Sequence, residues 1–416
     1  MLRASSLPCA LALLVSVSIA GCGTESPERR SSVEQRIISG SKSTVDQNST
    51  VGIYNPSLMG GCSGVLIGES LVLTARHCVS HIAADGVACT RSGTSAGGGA
   101  VGADYAPSGL DIKVGPDPEF VFAAKGRKIF HSSATNLCNN DIGLIVLDTK
   151  LTGVPIAQLR LDGPPLKGEK IRAVGWGVAN DDAGLERRQR ADIPITAVGP
   201  IDAFSMGLGP NEFQIGEGIC SGDSGGPAYA MTTGAVLGVV SRGGNGAPYD
   251  PTTDPQYTPC VDTADFKTHN AYTRVDGFKD LILQAFAESG DAPWLEGQPD
   301  PRKAKFGAPC SSGDDCQSTI CVGAAGGQFC SSDCSADPTC PEGYTCQDAG
   351  GRKVCAPAPA PAPSTTATST APASGAAPAT ASSGGCSVGA TREDASWLPF
   401  AGVAIALAAI GARRRR

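Results

Sequence analysis

Residues 37–290 of this sequence predict an all-β fold, a sandwich or barrel closed by a single C-terminal helix. Three observations carry that expectation. Short aliphatic runs ("GVLIG", "LVLTA", "IGLIVLD", "IRAVGWG" and "AVLGVVS") are broken by Gly, Pro, Asn and Asp, the pattern of short strands joined by tight turns. One stretch alone, "VDGFKDLILQAFAES" at 275–289, has helical spacing, at Phe278, Leu281, Ile282, Leu283 and Phe286. Six cysteines (Cys62, Cys78, Cys89, Cys138, Cys220 and Cys260) are spread through the same stretch, an even number that suits a disulfide framework.

The remaining segments follow in order. "MLRASSLPCALALLVSVSIAGCG" carries one Arg and then an apolar run from Leu7 to Ala20, the layout of a secretory signal. Its "IAGC" resembles the lipobox of bacterial lipoproteins, in which Cys22 would be acylated; the plainer reading is a signal cleaved after small residues. The glycine-rich stretch 93–109 reads as a surface loop, and 291–309 as a Pro- and charge-rich linker. Eight cysteines crowd into 310–355, a module too small for an apolar core and so expected to be held by four disulfides. A Pro/Ala/Thr/Ser stalk, 356–385, has almost nothing to bury and stays extended. The tail 386–416 contains Cys386, an apolar run at 397–412 and four final arginines. That run would reach about 24 Å as a helix, a little short of a hydrocarbon core of about 30 Å, with the arginines on the cytoplasmic side. Stalk, "GC", apolar run and arginines together resemble the MYXO-CTERM sorting tags of myxobacteria, which implies processing near Cys386 and display at the cell surface; a simple tail anchor is the alternative.

Seventeen cysteines in all place the chain in an oxidising compartment. A net charge of −7, with basic residues clustered only at the end, gives no footprint for nucleic acid. Within 37–290 no cysteine or histidine spacing suggests a metal, and no cofactor motif is present.

The chemistry concentrates in "CSGDSGGP" at 220–227. Those residues also build ordinary turns, so the segment alone does not distinguish a reactive Ser224 from a backbone bend. A serine hydroxyl needs a base, and the chain has four histidines, His77, His81, His131 and His269. His77 ends an apolar strand in "VLTARHC", beside a cysteine able to pin it. Asp141 leads directly into the buried run of "NNDIGLIVL" and suits the third role, holding the imidazole in its working tautomer.

"LTARHC", "NNDIGLIVL" and "CSGDSGGP", in that order, resemble the three signatures of the chymotrypsin-like (S1) serine peptidases. The resemblance covers about 250 residues, from Ile37 to the helix before 290. It implies two packed six-stranded β-barrels with the site in the cleft between them, with Ser224 as nucleophile, His77 as general base and then acid, and Asp141 as the orienting carboxylate. The N–H groups of Gly222 and Ser224 would form the oxyanion hole. "RIISG" at 36–40 resembles the family's activation junction, so that 22–36 would be a pro-segment and cleavage of Arg36–Ile37 would free an ammonium to pair with Asp223. The resemblance also pairs Cys62 with Cys78 and Cys220 with Cys260, which leaves Cys89 and Cys138 for each other.

Specificity departs from the trypsin branch. Where that branch has an acid, six residues before the nucleophile, this chain has Gly218, followed by Ile219. "VVSRGG" supplies Ser241, which in the family supports the orienting acid, and Gly243, which leaves the pocket mouth open. Counting back from "YTRV" puts Asn270 deep in the pocket, able to donate a hydrogen bond. A neutral residue should therefore precede the cleaved bond, unless Asp262 or Asp265 folds back beside the long insertion 244–259. Arg76, where the family has a small residue, is expected to point outward.

Two functions compete. One is an exported serine endopeptidase of the bacterial envelope or surface, acting on proteins or peptides, matured by a separate trypsin-like protease and handled by sorting machinery, with the membrane as anchor. The other is a surface-attached binding protein with a silent protease-like domain. The Cys-rich module loosely resembles EGF-like or dickkopf-like repeats and reads either as a binding module or as a protease-resistant spacer.

Overall fold

In the first barrel each apolar strand is buried on both faces, which explains why its sequence runs are continuous rather than alternating. The computed structural model describes residues 37–358 apart from 57–60, 84–85, 117–121, 178–185, 203–206, 251, 256 and 325–326. The signal segment with Cys22, the pro-segment with Arg36, the stalk from 359, Cys386 and the apolar run 397–412 lie outside the described residues.

Six strands form the first barrel: β1 (Thr50–Tyr54), β2 (Gly61–Gly68), β3 (Leu71–Thr74), β4 (Asp111–Lys113), β5 (Phe122–His131) and β6 (Gly143–Leu147). They close in the order β1-β2-β3-β6-β5-β4, all antiparallel. Leu66, Val72, Ile145 and Leu147 fill the barrel with Val51, Ile53, Leu110 and Ile112. Their sequence neighbours Val65, Ile67, Leu71, Leu73, Leu144 and Val146 point the other way, into a second cluster shared with Val174, Val236 and Val239. Each such side chain, fully buried, contributes roughly 1.5–3 kcal/mol.

Six more strands, β7 (Lys170–Gly175), β8 (Arg188–Val198), β9 (Glu212–Ile215), β10 (Pro227–Ala230), β11 (Val236–Gly244) and β12 (His269–Arg274), make the second barrel. Its order, β7-β8-β9-β12-β11-β10, repeats that of the first, and the β8–β9 pairing closes the ring. A two-residue strand, Ser41–Lys42, adds to the outside of β8. Ile171, Ile193, Ile195, Phe213, Ile215 and Tyr272 fill this barrel, together with Ile37 from the start of the described chain.

Helix α1 (Lys279–Ser289) closes the fold and ends at Gly290, which takes the left-handed conformation at φ 77°. Ile282, Ala285 and Phe286 join the inter-barrel cluster with Phe278 from the preceding turn. Leu283, expected on that stripe, is 37 % exposed instead. One residue beyond Ile282 is a 100° rotation around the helix, enough to carry the side chain to solvent.

The segment read as a linker runs along this core at its start. Leu159 N–H donates to Trp294 O, Glu296 N–H donates to Leu159 O, and Asp291 accepts the N–H of Ser70 at 2.7 Å. Beyond it the cysteine-rich stretch forms two hairpins, Cys321–Ala324 with Gly327–Cys330 and Tyr344–Asp348 with Lys353–Pro357. Its disulfides are Cys310–Cys321, Cys316–Cys330, Cys334–Cys346 and Cys340–Cys355, two interlocked pairs that follow one another in the chain. Among the described residues no helix is long and apolar enough to cross a membrane.

Candidate active site

Strand register brings the first two groups together. β3 and β6 pair with Thr74 opposite Gly143, so the turn that follows β3 and the turn that precedes β6 emerge at the same barrel end. The first is the 3₁₀ turn Arg76–Cys78, pinned by the Cys62–Cys78 disulfide. The second is the tight turn through Cys138–Asn140, tied down by Cys89–Cys138. Asp141, fully buried, accepts His77 Nδ1–H at 2.8 Å on one carboxylate oxygen and His77 backbone N–H at 3.1 Å on the other. Ser241 Oγ, from β11 of the second barrel, donates to the same oxygen as the imidazole at 2.7 Å.

These contacts set the charges. Burial pushes the His77 pKa down, but the charge of Asp141 and its hydrogen bond outweigh that and leave the imidazole above its ordinary value. Burial pushes Asp141 up, yet His77, Ser241 and the His77 N–H together hold it below the usual carboxylate range. A fifth of the His77 side chain remains exposed, toward a cleft of about 580 Å³ that Ser224 also lines.

Ser224 sits in a turn whose backbone is fixed from several directions. Asp223 N–H donates to Cys220 O and Gly226 N–H to Asp223 O, and Cys220 is bridged to Cys260. Ser63, on β2 of the first barrel, holds the turn across the interface: its N–H donates to Ser224 O at 2.8 Å and its Oγ–H to Gly222 O at 3.0 Å. A Cβ on Gly225 would lie 2.1 Å from Thr74 Oγ1, so only glycine lets the two barrels approach this closely. Gly222 adopts φ 90°, a conformation a side chain would oppose. Among the described residues, neither Gly222 N–H nor Ser224 N–H makes a hydrogen bond within the chain.

Asp223 has no exposure. It accepts Cys220 N–H and Gly177 N–H, each at 2.9 Å, and the backbone N–H of Ile37. Burial dominates these bonds and pushes its pKa up to about 7. Ile37 itself is fully buried with a left-handed φ of 37°.

Of the expected pocket residues, Ile219, Ser241, Gly243 and Asn270 line the cleft. Gly218 does not: it faces the second barrel's interior, where a Cβ would meet Ile193 Cδ1 at 2.9 Å and Ile215 Cδ1 at 3.3 Å. Asn270 is buried, and its Nδ2 donates to Gly216 O at 2.8 Å. Its Oδ1 lies beside Gly243, 1.8 Å from where a Cβ would stand. Asn270 thus spends one of its two amide N–H groups on Gly216, and its carbonyl oxygen stands beside Gly243 at the cleft wall. Asp262 accepts Thr268 N–H at 2.8 Å and pairs with Lys267. Among the described residues, no carboxylate lines the cleft.

Arg76 corrects another expectation. It is 6 % exposed and turns inward, its Nη1 donating to Ser132 O at 2.6 Å and Ala134 O at 2.9 Å. Those carbonyls lie in the approach to Asp141 outside any strand and need donors. Sequence reading also missed Ser63, Glu212 and Arg242. The last carried a signal, a charged residue directly after Ser241 inside an apolar strand.

The sequence profile of the trypsin family matches residues 37–257. The chain belongs to the trypsin family. Its trypsin-family relatives include "Beta-fibrinogenase brevinase" of Gloydius blomhoffii, 31% identical over 44% of this chain and 75% of the relative. "Cercarial protease" of Schistosoma mansoni is 31% identical over 44% of this chain and 70% of its own length. "Trypsin Blo t 3" of Blomia tropicalis is 27% identical over 44% and 67%. The trypsin-family match ends before the last strand of the second barrel and does not reach the cysteine-rich hairpins.

Proposed function

We propose that this chain is an exported serine endopeptidase, made as a zymogen and matured by cleavage of Arg36–Ile37. The observation that carries the reading is the hydrogen-bonded run Ser241–Asp141–His77, which opens on the cleft that Ser224 lines. Ser224 Oγ attacks the substrate carbonyl while His77 Nε2 takes its proton, and Asp141 stabilises the imidazolium. The N–H groups of Gly222 and Ser224 stabilise the oxyanion; losing one such donor costs about 10²–10³ in rate. His77 then protonates the departing amine, and water, deprotonated in turn by His77, hydrolyses the acyl-enzyme.

A neutral residue precedes the cleaved bond, since no carboxylate among the described residues lines the cleft. The enzyme therefore does not cut its own Arg36–Ile37 bond, and a separate trypsin-like protease activates it. The relatives named as proteases favour a protein or peptide substrate, and two of those names, a fibrinogenase and a cercarial protease, favour export. Seven disulfides among the described residues favour it as well. A signal over 1–21 with lipid on Cys22, and a sorting tag at Cys386 that anchors residues 386–416 in the membrane through 397–412, complete the reading. Cleavage at Arg36 would then free the catalytic domain from the N-terminal lipid and leave it on the stalk 356–385, with 310–355 as spacer.

A fluorophosphonate probe tests this on chain cut at Arg36–Ile37. Labelling at Ser224, lost in Ser224→Ala, is the expected result. A cut chain that is neither labelled nor able to hydrolyse any peptide library would leave the silent binding protein as the answer. Wild-type zymogen should stay intact when purified alone, and maturation that Ser224→Ala abolishes would remove the separate activator.

A further inference from the structure

Asp141 is supported from both sides by residues whose own neighbours converge on one buried carboxylate. Glu212, on β9, has no exposure. Arg242 grips it with both terminal nitrogens, Nη1 to Oε1 at 2.6 Å and Nη2 to Oε2 at 2.9 Å. Asn139 N–H donates to Oε1 and Gly209 N–H to Oε2, each at 2.8 Å. Arg242 follows Ser241, which donates to Asp141. Asn139 precedes Asp141 by two residues. The contacts therefore close a ring: Asp141 to Ser241, along the chain to Arg242, across to Glu212, across to Asn139, and along the chain back to Asp141.

Two features make this more than a packed ion pair. Asn139 holds a left-handed φ of 65°, a conformation that a non-glycine residue keeps only where its surroundings impose it. Glu212 takes its N–H, and Asn211 N–H donates to its Oδ1. The ring also spans both barrels, since Asn139 and Asp141 belong to the first and Glu212, Ser241 and Arg242 to the second.

We infer that Glu212 is a positioning residue for the proposed reaction, fixing the Asn139–Asp141 turn and the Ser241–Arg242 strand in one arrangement so that Asp141 meets His77 squarely. The inference rests on the serine-peptidase reading above. Among the described residues, the other charged groups on this side are Arg76, which interacts with Asp141 and Asp104, and His131, which pairs with Asp104, while Arg242 lines the cleft with His77; of these, Arg242 alone contacts Glu212.

The test uses full chain cut at Arg36–Ile37, with active sites counted by fluorophosphonate labelling. Glu212→Gln keeps the shape but places an amide donor against donors. Its kcat per active site should fall roughly 10–100-fold, as for a misplacement of about 1 Å, with KM changed by less than about twofold. The acid limb of kcat/KM should move to lower pH, because a loosened Asp141 raises the imidazole less. A purely structural role would lower the melting temperature and leave that limb in place. Should Glu212→Gln fail to fold, the double variant Glu212→Leu/Arg242→Leu leaves no unpaired charge, and it should still show the low kcat and the shifted limb. Any folded variant with wild-type kcat and an unmoved acid limb overturns the inference. Wild-type chain that neither labels nor hydrolyses peptides overturns the underlying reading instead.

Discussion

Asn270 shows how one side chain fixes what the cleft accepts. Its amide N–H is held by Gly216 O, so its orientation is set and the carbonyl end faces the wall beside Gly243. Asn270→Asp replaces that donor by an oxygen, and repulsion from Gly216 O turns the carboxylate into the cleft. Cleavage after Lys and Arg should then rise roughly 10²-fold relative to cleavage after neutral residues, read from kcat/KM on peptides that differ only at that position. An unchanged ratio would mean that Asn270 does not border the bound side chain. Residues of this kind differ in how legible they were in the sequence. His77, Asp141 and Ser224 announce themselves because each sits in a local pattern of cysteine, glycine or buried strand. Arg76 and Glu212 do not, because their partners are set by strand register: Glu212 meets Arg242 only because β9 and β11 flank β12.

β8 makes the same point for a whole element. Its sequence lacks an apolar run, and it was not among the strands read from the sequence. The reason is that β8 and the residue before it face residues 38–50 with arginines rather than apolar groups. Arg188 donates to Gly40 O at 2.7 Å and Arg190 to Ile38 O at 2.9 Å. Arg187, immediately before β8, has no exposure, and its hydrogen bonds among the described residues go to neutral oxygens: Ser43 Oγ, Thr50 O, Thr44 O and Asn48 Oδ1, between 2.6 and 2.9 Å. Burial pushes its pKa down to about 10, so it remains charged at neutral pH. These side chains hold residues 38–50 against the second barrel. Arg187→Met would strand those acceptors and should cost about 3 kcal/mol or more, measured as a lower urea midpoint; a loss under about 0.5 kcal/mol would show that the comb does not hold the segment. β2, β3 and β6 were legible for the opposite reason, since burial on both faces leaves an unbroken apolar run.

At the scale of the molecule, the contact between Ile37 and the Ser224 turn would link the proposed maturation to stability. In the uncut chain Asp223 receives, among the described residues, only N–H groups, and its pKa stands at about 7 against about 3.9 in an unfolded chain. An acid whose pKa is raised by folding holds its proton longer in the native state, so its contribution is complete below pH 4 and declines as pH rises toward 7. Three pH units at about 1.4 kcal/mol each give a decline of about 4 kcal/mol. In the proposed maturation, cutting Arg36–Ile37 would place an ammonium where the amide was, which would stabilise the carboxylate and remove the decline until that ammonium itself loses its proton. The cut relieves a second cost as well. Ile37 is β-branched with φ 37°, a strain of about 1–3 kcal/mol, and that torsion is defined by the carbonyl carbon of Arg36, so it ceases to exist once the bond is broken. Ser224→Ala chain, prepared uncut and cut, isolates both effects, because apart from the two new termini at the cut every titrating group is common to the two forms. Urea midpoints should diverge in favour of the cut form as pH rises from about 4 to about 7, leaving a smaller, pH-independent difference at the acid end. Parallel profiles would mean that the ammonium does not reach Asp223, and the Ser224 turn would then owe its shape to Ser63, the Cys220–Cys260 disulfide and its own backbone hydrogen bonds.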